Sequence, residues 1–341
     1  MKNLQRRLYY PLLEKLMKYL SIWKDIHPMV TKHGNEYMLN HLMSLNGYLD
    51  IGIMCAEEAS MHDIKPFLSV DTMLKFNNLY MVQGGYDKQY YSFLEKFDNL
   101  KFENWPWYFI FESAYHSRTV LNDTVDKLFI CMNYKPRLHR KKLLDQIERV
   151  GLLESNYITW HNPKSSSYFN PDQFNEDYYE WKYWSPKEKY LEGIEWDQYC
   201  VPNQMFTSVI NVVTESFLHC PFATEKTWNA IFAKKPFIIL GCPGIHKWLV
   251  SQGYKLPKQI NYQFDSEKDD DIRIHMIADE LHRLSKLNLQ ELNKSMKEVC
   301  EYNYNHACKF VKNYKDYSKP IREHYGEIIN RAKNKLNKGG K

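Results

Sequence analysis

The chain has 341 residues, which is long enough for two domains of about 150 residues, each with a sizeable hydrophobic core. Hydrophobic residues make up 44% and charged residues 26%, a balance that favours a soluble globular protein over a disordered or fibrous one. The net charge of +5 permits an anionic partner without requiring one, and no stretch approaches the roughly 20 apolar residues that span a bilayer.

The cysteines and the N-terminus predict a cytoplasmic protein. The seven cysteines are scattered, mostly within apolar runs, and no Cys-x-x-Cys or Cys/His zinc spacing occurs. Buried thiols in a reducing compartment therefore fit better than a disulfide framework. The first residues are basic, but Glu14, Lys15 and Lys18 interrupt them, so they lack the apolar core of a signal peptide.

The N-terminal part of the chain contains apolar runs typical of buried strands. The predicted strands are Leu49–Cys55, Leu79–Val82 and Trp107–Phe111, and a helix is predicted over Asp87–Phe97. Each run ends in small or acidic residues, as expected where the carboxyl ends of strands line a cleft.

A second series of strands and helices begins near residue 127. The predicted elements are strand Lys127–Met132, a turn over Asn133–Arg140, a helix to Val150, strand Tyr157–Trp160, strand Ile210–Val213, strand Phe237–Leu240 and a helical region over Asp271–Lys335. The two series predict an α/β protein with two Rossmann-like domains facing each other across a cleft, followed by a helical C-terminus. The predicted limits are 1–122, 123–310 and, for a C-terminal helix with a basic tail, 311–341.

Residues 161–200 differ from both series. They contain eleven aromatic residues and prolines at 163, 171 and 186, which is too aromatic for disorder and too irregular for one helix. We interpret them as an insertion packed on the C-terminal domain, or as an aromatic surface that stacks on sugar rings or unstacked bases.

Residues 211–244 carry the strongest functional signal. The run before Thr214-Glu215-Ser216 is typical of a strand, Thr224-Glu225-Lys226 opens an amphipathic helix, and a second strand ends at a turn that begins with Gly241. Ligands of open α/β sheets bind at this edge, where strands end and helices begin. A lysine in the first turn of a helix is unfavourable for the helix dipole. Its place beside a glutamate suggests a ligand that needs both a cation and a carboxylate, such as a nucleoside diphosphate with its ribose.

The pattern VTES…ATEKTWNAIFAKKPFIILGCPG resembles the donor-binding motif of the alpha-1,3-fucosyltransferases over about 40 residues. It is even more similar to related glycosyltransferases of phages and large viruses. The resemblance implies a GT-B-like glycosyltransferase, with donor phosphate on Lys226 and the ribose hydroxyls on Glu225. It adds Glu215, Thr224 and Gly241 to the donor site. Ser216 stands where the family has an asparagine.

A second group of candidate donor-binding residues lies in the segment CMNYKPRLHR. Asn133, Arg137, His139 and Arg140 fall at a predicted strand-to-helix turn, where guanidinium groups and helix N–H groups converge. Arginine binds phosphate with two parallel hydrogen bonds, which suits a diphosphate. A solvated first turn of a helix is the alternative interpretation.

Glycosyl transfer also requires a base for the acceptor hydroxyl. Glu57 and Glu58 follow the predicted strand that ends at Cys55, and the pair resembles the position of a glutamate in the fucosyltransferases. Side chains of successive residues point in opposite directions, so one of the two would face the cleft, and Glu58 is preferred. The alternative is that both carboxylates only complement a helix start. Glu112 is the reserve candidate, because it follows the predicted strand Trp107–Phe111.

No metal or additional cofactor is predicted, because the histidines show no metal-ligand spacing and protein cations can neutralise the leaving diphosphate. The acidic run Asp265–Asp271 fits neither an EF-hand nor a metal motif after a strand, and we predict a surface loop. The tail from Arg331 is predicted to be solvated, or to form an arm that touches a polyanion.

The sequence therefore predicts an inverting glycosyltransferase that uses a nucleoside diphosphate-sugar as its donor substrate. Residues 1–122 would form the acceptor side and residues 123–310 the donor side. The acceptor is either a glycan or a hydroxymethylated pyrimidine in viral DNA, which would be modified in the cytoplasm of an infected host cell. The alternative is a non-catalytic protein of the same fold that binds carbohydrate or nucleic acid. The oligomeric state is left open.

Overall fold

The computed structural model describes seven parts of the chain: residues 18–21, 51–56, 79–87, 100–118, 124–133, 137–160 and 201–338. The aromatic segment 161–200, the paired glutamates Glu57 and Glu58, and most of the helix predicted over Asp87–Phe97 lie outside these residues.

The first sheet contains four parallel strands in the order β1-β2-β3-β4. They are β1 (Lys18–Ser21), β2 (Ile51–Cys55), β3 (Leu79–Gln83) and β4 (Leu100–Asn104). The predicted strands that became β2 and β3 are confirmed, whereas β1 and β4 were not predicted. Hydrogen-bonded register aligns Cys55 with Gln83 and Gln83 with Asn104, so these strands end together.

The prediction of a strand over Trp107–Phe111 is wrong, because helix α1 (Tyr108–His116) occupies this segment. Six consecutive residues of α1 are buried, so its apolar run has no helical period and resembles a buried strand. The reserve base Glu112 therefore lies in the middle of a helix and not at a strand end. Its carboxylate is 3.5 Å from the imidazole of His116, one turn later.

The second sheet has four parallel strands in the order β6-β5-β7-β8. Its strands are β5 (Lys127–Asn133), β6 (Tyr157–Trp160), β7 (Ser208–Thr214) and β8 (Phe237–Leu240). Helix α2 (Leu138–Arg149) follows β5, α3 (Asn203–Thr207) precedes β7, α4 (Glu225–Phe232) follows β7 and α5 (Ile245–Ser251) follows β8. All four predicted strands of this series are confirmed. Phe129, Ile210, Ile238, Leu143 and Ile277 belong to the core beneath this sheet.

The predicted helical C-terminal region is confirmed, in three pieces. They are α6 (Asp270–Ser285), α7 (Leu289–Asn313) and α8 (Lys319–Lys338). Asn288 begins α7 by accepting hydrogen bonds from two backbone N–H groups of its first turn, which are otherwise without partners inside the helix. The fold is thus α/β with two parallel sheets and a helical C-terminus, as the sequence predicted. No helix in the described ranges is long and apolar enough to cross a membrane.

The prediction of a surface loop over Asp265–Asp271 is wrong at both ends. Asp265 is only 9% exposed and lies in a 3₁₀ turn, Gln263–Ser266, where its carboxylate accepts hydrogen bonds from His246. Asp269 caps α6 by accepting two backbone N–H bonds. Asp265 therefore stabilises the contact between the 3₁₀ turn and His246, and Asp269 stabilises the start of α6.

The described part of the basic tail is helical, because α8 continues from Arg331 to Lys338, and it contacts the end of α1. Its exposed residues are Arg331, Asn334, Asn337 and Lys338. The ammonium of Lys335 donates to the backbone carbonyls of Tyr115 and Ser117, at the C-terminal end of α1. A cation there satisfies carbonyls that have no helical partner and complements the helix dipole. The guanidinium of Arg331 lies 5.8 Å from the centre of the Tyr115 ring.

The chain forms two compact units. One contains residues 1–108, 220–222 and 315–330, and the other contains residues 109–219, 223–314 and 331–341. The first sheet belongs to the first unit and the second sheet to the second, and α8 contributes residues to both. The predicted domain limits of 1–122, 123–310 and 311–341 stay predictions.

Candidate functional site

The loop after β7 carries a buried carboxylate that organises the start of α4. Glu215 is fully buried, and its carboxylate accepts hydrogen bonds from the backbone N–H of Thr224 at 3.0 Å, from the Thr224 hydroxyl at 2.6 Å and from the Thr227 hydroxyl at 2.6 Å. Burial raises the pKa of Glu215, while Lys226 and the two hydroxyls act in the opposite direction. Glu215 thus holds the β7–α4 loop and the first turn of α4 in one arrangement.

Thr224, Glu225 and Lys226 form the start of α4, as the sequence predicted. Thr224 is the N-cap residue, and its hydroxyl oxygen accepts a bond from the backbone N–H of Lys226 at 3.5 Å. The ammonium of Lys226 donates to the Thr224 hydroxyl at 3.2 Å and to the Glu225 carboxylate at 2.6 Å. The side chain of Lys226 is 20% exposed and that of Glu225 only 9%, so the ion pair lies at the rim of a largely buried site.

The start of α2 brings Arg137, His139 and Arg140 to the same sheet edge, with Arg137 as the N-cap residue. The guanidinium of Arg140 is buried and donates to the backbone carbonyl of Thr214 at 3.2 Å, and the guanidinium of Arg137 lies 4.9 Å from the centre of the Phe217 ring. Burial, together with the charge of Arg137, lowers the pKa of Arg140 to about 9, which leaves it charged at neutral pH.

His139 lies between these arginines and the β7 loop, with Nε2 at 2.9 Å from the backbone carbonyl of Glu215. Burial lowers its pKa to about 3, and the charges of Arg140, Arg137 and Arg273 act in the same direction. The imidazole is therefore neutral at pH 7, and because its partner is a carbonyl, Nε2 carries the proton. The positive charge of this edge therefore comes from its arginines and Lys226, and not from the histidine.

Asn133 joins three neighbouring strands at the end of β5. Its carbonyl oxygen accepts from the Thr214 hydroxyl at 2.7 Å, and its amide group donates to the Thr159 carbonyl at 3.3 Å. Asn133 is 1% exposed, so its side chain fixes the edge on which the predicted donor-binding residues stand.

The turn after β8 completes this edge. A side chain at Gly241 would place its Cβ 3.3 Å from the Ile245 side chain and 3.4 Å from that of Glu215, so the turn packs directly on the buried glutamate. Gly244 has a φ of 85°, which suits glycine, and its N–H donates to the backbone carbonyl of Asp265 at 2.7 Å. The sequence-predicted residues Asn133, Arg137, Arg140, Glu215, Thr224, Glu225, Lys226 and Gly241 all lie along the carboxyl edge of the second sheet.

Sequence reasoning missed three groups that support this edge. Thr227 completes the shell of Glu215, and Arg273 donates to the carbonyl of Gly241 at 3.1 Å. His246 forms a buried pair with Asp265, with Nδ1 at 2.7 Å from a carboxylate oxygen. A hydroxyl one turn after the Thr224 cap was a visible signal for Thr227. No sequence pattern indicates that Arg273 contacts Gly241 or that His246 pairs with Asp265.

The predicted base residues follow strand β2 of the first sheet in the sequence. Glu57 and Glu58 lie outside the described residues and directly follow Ala56, at the end of β2 in the first unit. The backbone N–H of Ala56 donates to the hydroxyl of Tyr325 at 3.1 Å, which anchors that end of the strand. Among the residues that the structure describes, no group of three or more His, Cys, Asp or Glu side chains is arranged to hold a metal ion.

Comparison with known proteins gives low similarity. No family model and no curated protein matches the chain. Solved structures do match. The DNA-modifying enzyme beta-glucosyltransferase is 14% identical with a TM-score of 0.41, covering 89% of this chain and 79% of that one. An alpha1,3-fucosyltransferase is 12% identical with a TM-score of 0.43, covering 94% and 90%. The T4 phage enzyme BGT in complex with UDP-glucose is 12% identical with a TM-score of 0.36, covering 89% and 79%. Similarity at this level says nothing about activity, which has to be inferred from the site.

Proposed function

We propose that the protein is a nucleotide-sugar-dependent glycosyltransferase. It binds a nucleoside diphosphate-sugar at the carboxyl edge of the second sheet and transfers the sugar to a hydroxyl group of an acceptor. The motif resemblance of residues 211–244 and the chemistry of this edge support the proposal independently.

The observation that carries the proposal is a surplus of positive charge at a largely buried sheet edge. Arg137, Arg140, Lys226 and Arg273 contribute four cations, whereas Glu215, Glu225 and Asp270, the ion-pair partner of Arg273, contribute three carboxylates. An anion with several charges is the ligand that fits, because it can form charge-assisted hydrogen bonds with several of these cations at once. A diphosphate meets that requirement.

The ion pair of Glu225 and Lys226 suits the two ends of a nucleoside diphosphate. The ammonium of Lys226 already shares its hydrogen bonds between two oxygens, and a phosphate oxygen can take the place of one of them. Glu225, once released from the ammonium, can accept hydrogen bonds from the ribose hydroxyls. These are the roles that the resemblance to the fucosyltransferases implies.

The proposed reaction is a direct displacement at the anomeric carbon. The acceptor oxygen forms the new glycosidic bond, while the bond between the anomeric carbon and the diphosphate oxygen breaks, and the configuration inverts. The acceptor proton passes to a carboxylate, for which Glu58 or Glu57 is the candidate. The electron pair leaves with the diphosphate, whose growing negative charge the cations of the edge stabilise.

The acceptor class stays a choice between a glycan and a hydroxymethylated pyrimidine in DNA. The basic tail does not decide between them, because Lys335 donates to carbonyls at the end of α1 whereas Arg331 and Lys338 are exposed. The aromatic composition of residues 161–200 is compatible with either acceptor, because aromatic rings stack on both sugars and bases.

The proposal is tested by titrating the wild-type protein and the Lys226→Ala variant with UDP, GDP and dTDP. Losing a charge-assisted phosphate contact should weaken the binding of the preferred nucleotide by about 10- to 150-fold. The matched control is Lys142→Ala on α2, because Lys142 pairs with the exposed Asp271 and should leave the affinity unchanged. Equal affinities of the wild type and Lys226→Ala would refute the donor-site assignment.

A further inference from the structure

Arg273 on α6 is among the largest fully buried side chains in the described part of the protein, with 1% of its surface exposed. Its Nη1 donates to the backbone carbonyl of Glu267 at 2.8 Å, and its Nη2 donates to the backbone carbonyl of Gly241 at 3.1 Å. The guanidinium thus links the start of α6 to the turn after β8.

The charge of Arg273 is only partly compensated. Its carboxylate partner is Asp270, whose side chain is 49% exposed, so solvent screens that ion pair. The other two acceptors are neutral carbonyls. Burying a guanidinium with so little counter-charge is costly, and a well-packed apolar side chain would fill the same space without that cost. Packing alone therefore does not account for a buried arginine at this position.

The position of Arg273 relates it to the proposed donor site. Gly241, whose carbonyl it holds, packs on Glu215, and Glu215 in turn fixes the first turn of α4 that carries Lys226. The other end of the same turn is held by Asp265, which accepts the N–H of Gly244 through its backbone carbonyl. The charge of Arg273 also acts on His139 at this edge.

We propose that Arg273 is a positioning residue of the donor site. It fixes the Gly241–Gly244 turn against Glu215 and adds a buried positive charge behind the diphosphate. The inference rests on the proposed function, since it assumes that a diphosphate binds at this edge.

Two substitutions separate the two contributions of Arg273, and a third serves as the control. Arg273→Lys keeps the charge but cannot bridge the two carbonyls, whereas Arg273→Met removes both. Arg283→Lys is the matched control, because Arg283 lies on the same helix and pairs with Glu280 at the same i,i+3 spacing, but its side chain is 51% exposed. Inorganic pyrophosphate is the probe, because its binding does not depend on the identity of the base or sugar.

The pyrophosphate affinity of each full-length variant is measured at a temperature where urea titration shows that it is fully folded. Arg273→Lys should bind pyrophosphate about tenfold more weakly than the wild type, Arg273→Met more weakly still, and Arg283→Lys equally well. A merely structural role would lower the urea midpoint without changing the affinity of the folded protein. If Arg273→Met does not fold, Arg273→Lys alone decides.

Lys226→Ala in the same assay distinguishes the two possible failures. If Lys226→Ala loses affinity and Arg273→Lys does not, the role of Arg273 is wrong and the donor site stands. If the wild-type protein binds neither pyrophosphate nor any of UDP, GDP and dTDP, both the proposed function and the role of Arg273 are overturned.

Discussion

Glu215 and Arg140 lie at the same sheet edge, and the protein buries both of them. Burial raises the pKa of the glutamate and lowers that of the arginine, so each is held in surroundings that disfavour its charged form. Glu215 accepts hydrogen bonds from Thr224 and Thr227, and Arg140 donates to the carbonyl of Thr214. The negative charges of Glu215 and Glu225 partly offset the effect of burial on the pKa of Arg140. A bound anion would add further negative charge beside the arginine, so ligand binding should stabilise the folded protein.

His139 gives this edge a defined pH dependence. Its pKa in the folded protein, about 3, lies below the ordinary value of 6.5. Between these two pH values the imidazole is protonated in the unfolded chain but neutral in the folded protein. The stability due to the neutral imidazole is therefore complete above pH 6.5 and is lost as the pH falls from 6.5 toward 3. Asp265, whose lowered pKa arises because hydrogen bonds from His246 outweigh the effect of burial, adds a loss in the same direction at still lower pH.

We predict that the wild type loses up to about 2 kcal/mol of unfolding free energy between pH 7.5 and 5 through this one group. His139→Gln, which keeps a donor for the Glu215 carbonyl, should show a correspondingly shallower decline. Urea unfolding at several pH values measures both proteins. Parallel curves for the two would show that His139 is not held neutral.

At the level of elements, the second sheet was predictable because its strands are continuous apolar runs. Phe237–Leu240 and Tyr157–Trp160 were predicted with the observed limits, since turn residues bound them on both sides. The α1 helix was not, because burial of six consecutive residues removed the helical period. The strand β4 did leave a signal, since Leu100 and Phe102 alternate with Lys101 and Glu103.

The candidate site was predictable only in its local part. Thr224, Glu225 and Lys226 are neighbours in sequence, and a helix start explains them without tertiary information. The contact of Arg273 with Gly241 joins residues 32 positions apart, and the pair of His246 with Asp265 joins residues 19 apart. Such contacts depend on how helices pack on the sheet, which no local pattern specifies.

Two glycines should respond in opposite ways to the same substitution. Gly244 has a φ of 85°, a conformation that costs an L-residue about 1–2 kcal/mol, so Gly244→Ala should destabilise the protein by roughly that amount. Gly326 lies within α8, where an added Cβ would make an ordinary contact at 4.0 Å with the side chain of Arg322, so Gly326→Ala should stabilise the protein by about 0.5–1 kcal/mol. Urea unfolding measures both, and a stabilised Gly244→Ala would contradict the left-handed turn after β8.

At the scale of the whole molecule, the proposed reaction divides its residues between the two compact units. The proposed donor-binding residues lie in the second unit, whereas β2, which leads to Glu57 and Glu58, lies in the first. Helix α8 contributes to both units, through Tyr325 in the first and Lys335 in the second. Substitutions of the base and of the donor site should therefore affect different steps.

The most direct test of the central claim is a sugar-transfer assay. Wild-type protein is supplied with UDP-, GDP- or dTDP-sugars and with either glycans or hydroxymethylated DNA, and release of the nucleoside diphosphate is followed. Glu58→Gln, Glu57→Gln and Glu112→Gln are compared with it, with donor affinity measured separately. We predict acceptor-dependent turnover of one donor, which falls by about 10²- to 10⁴-fold in Glu58→Gln or Glu57→Gln while its donor affinity stays unchanged. A wild-type protein that binds donor but never transfers its sugar to any acceptor would contradict the account and favour a non-catalytic binding protein.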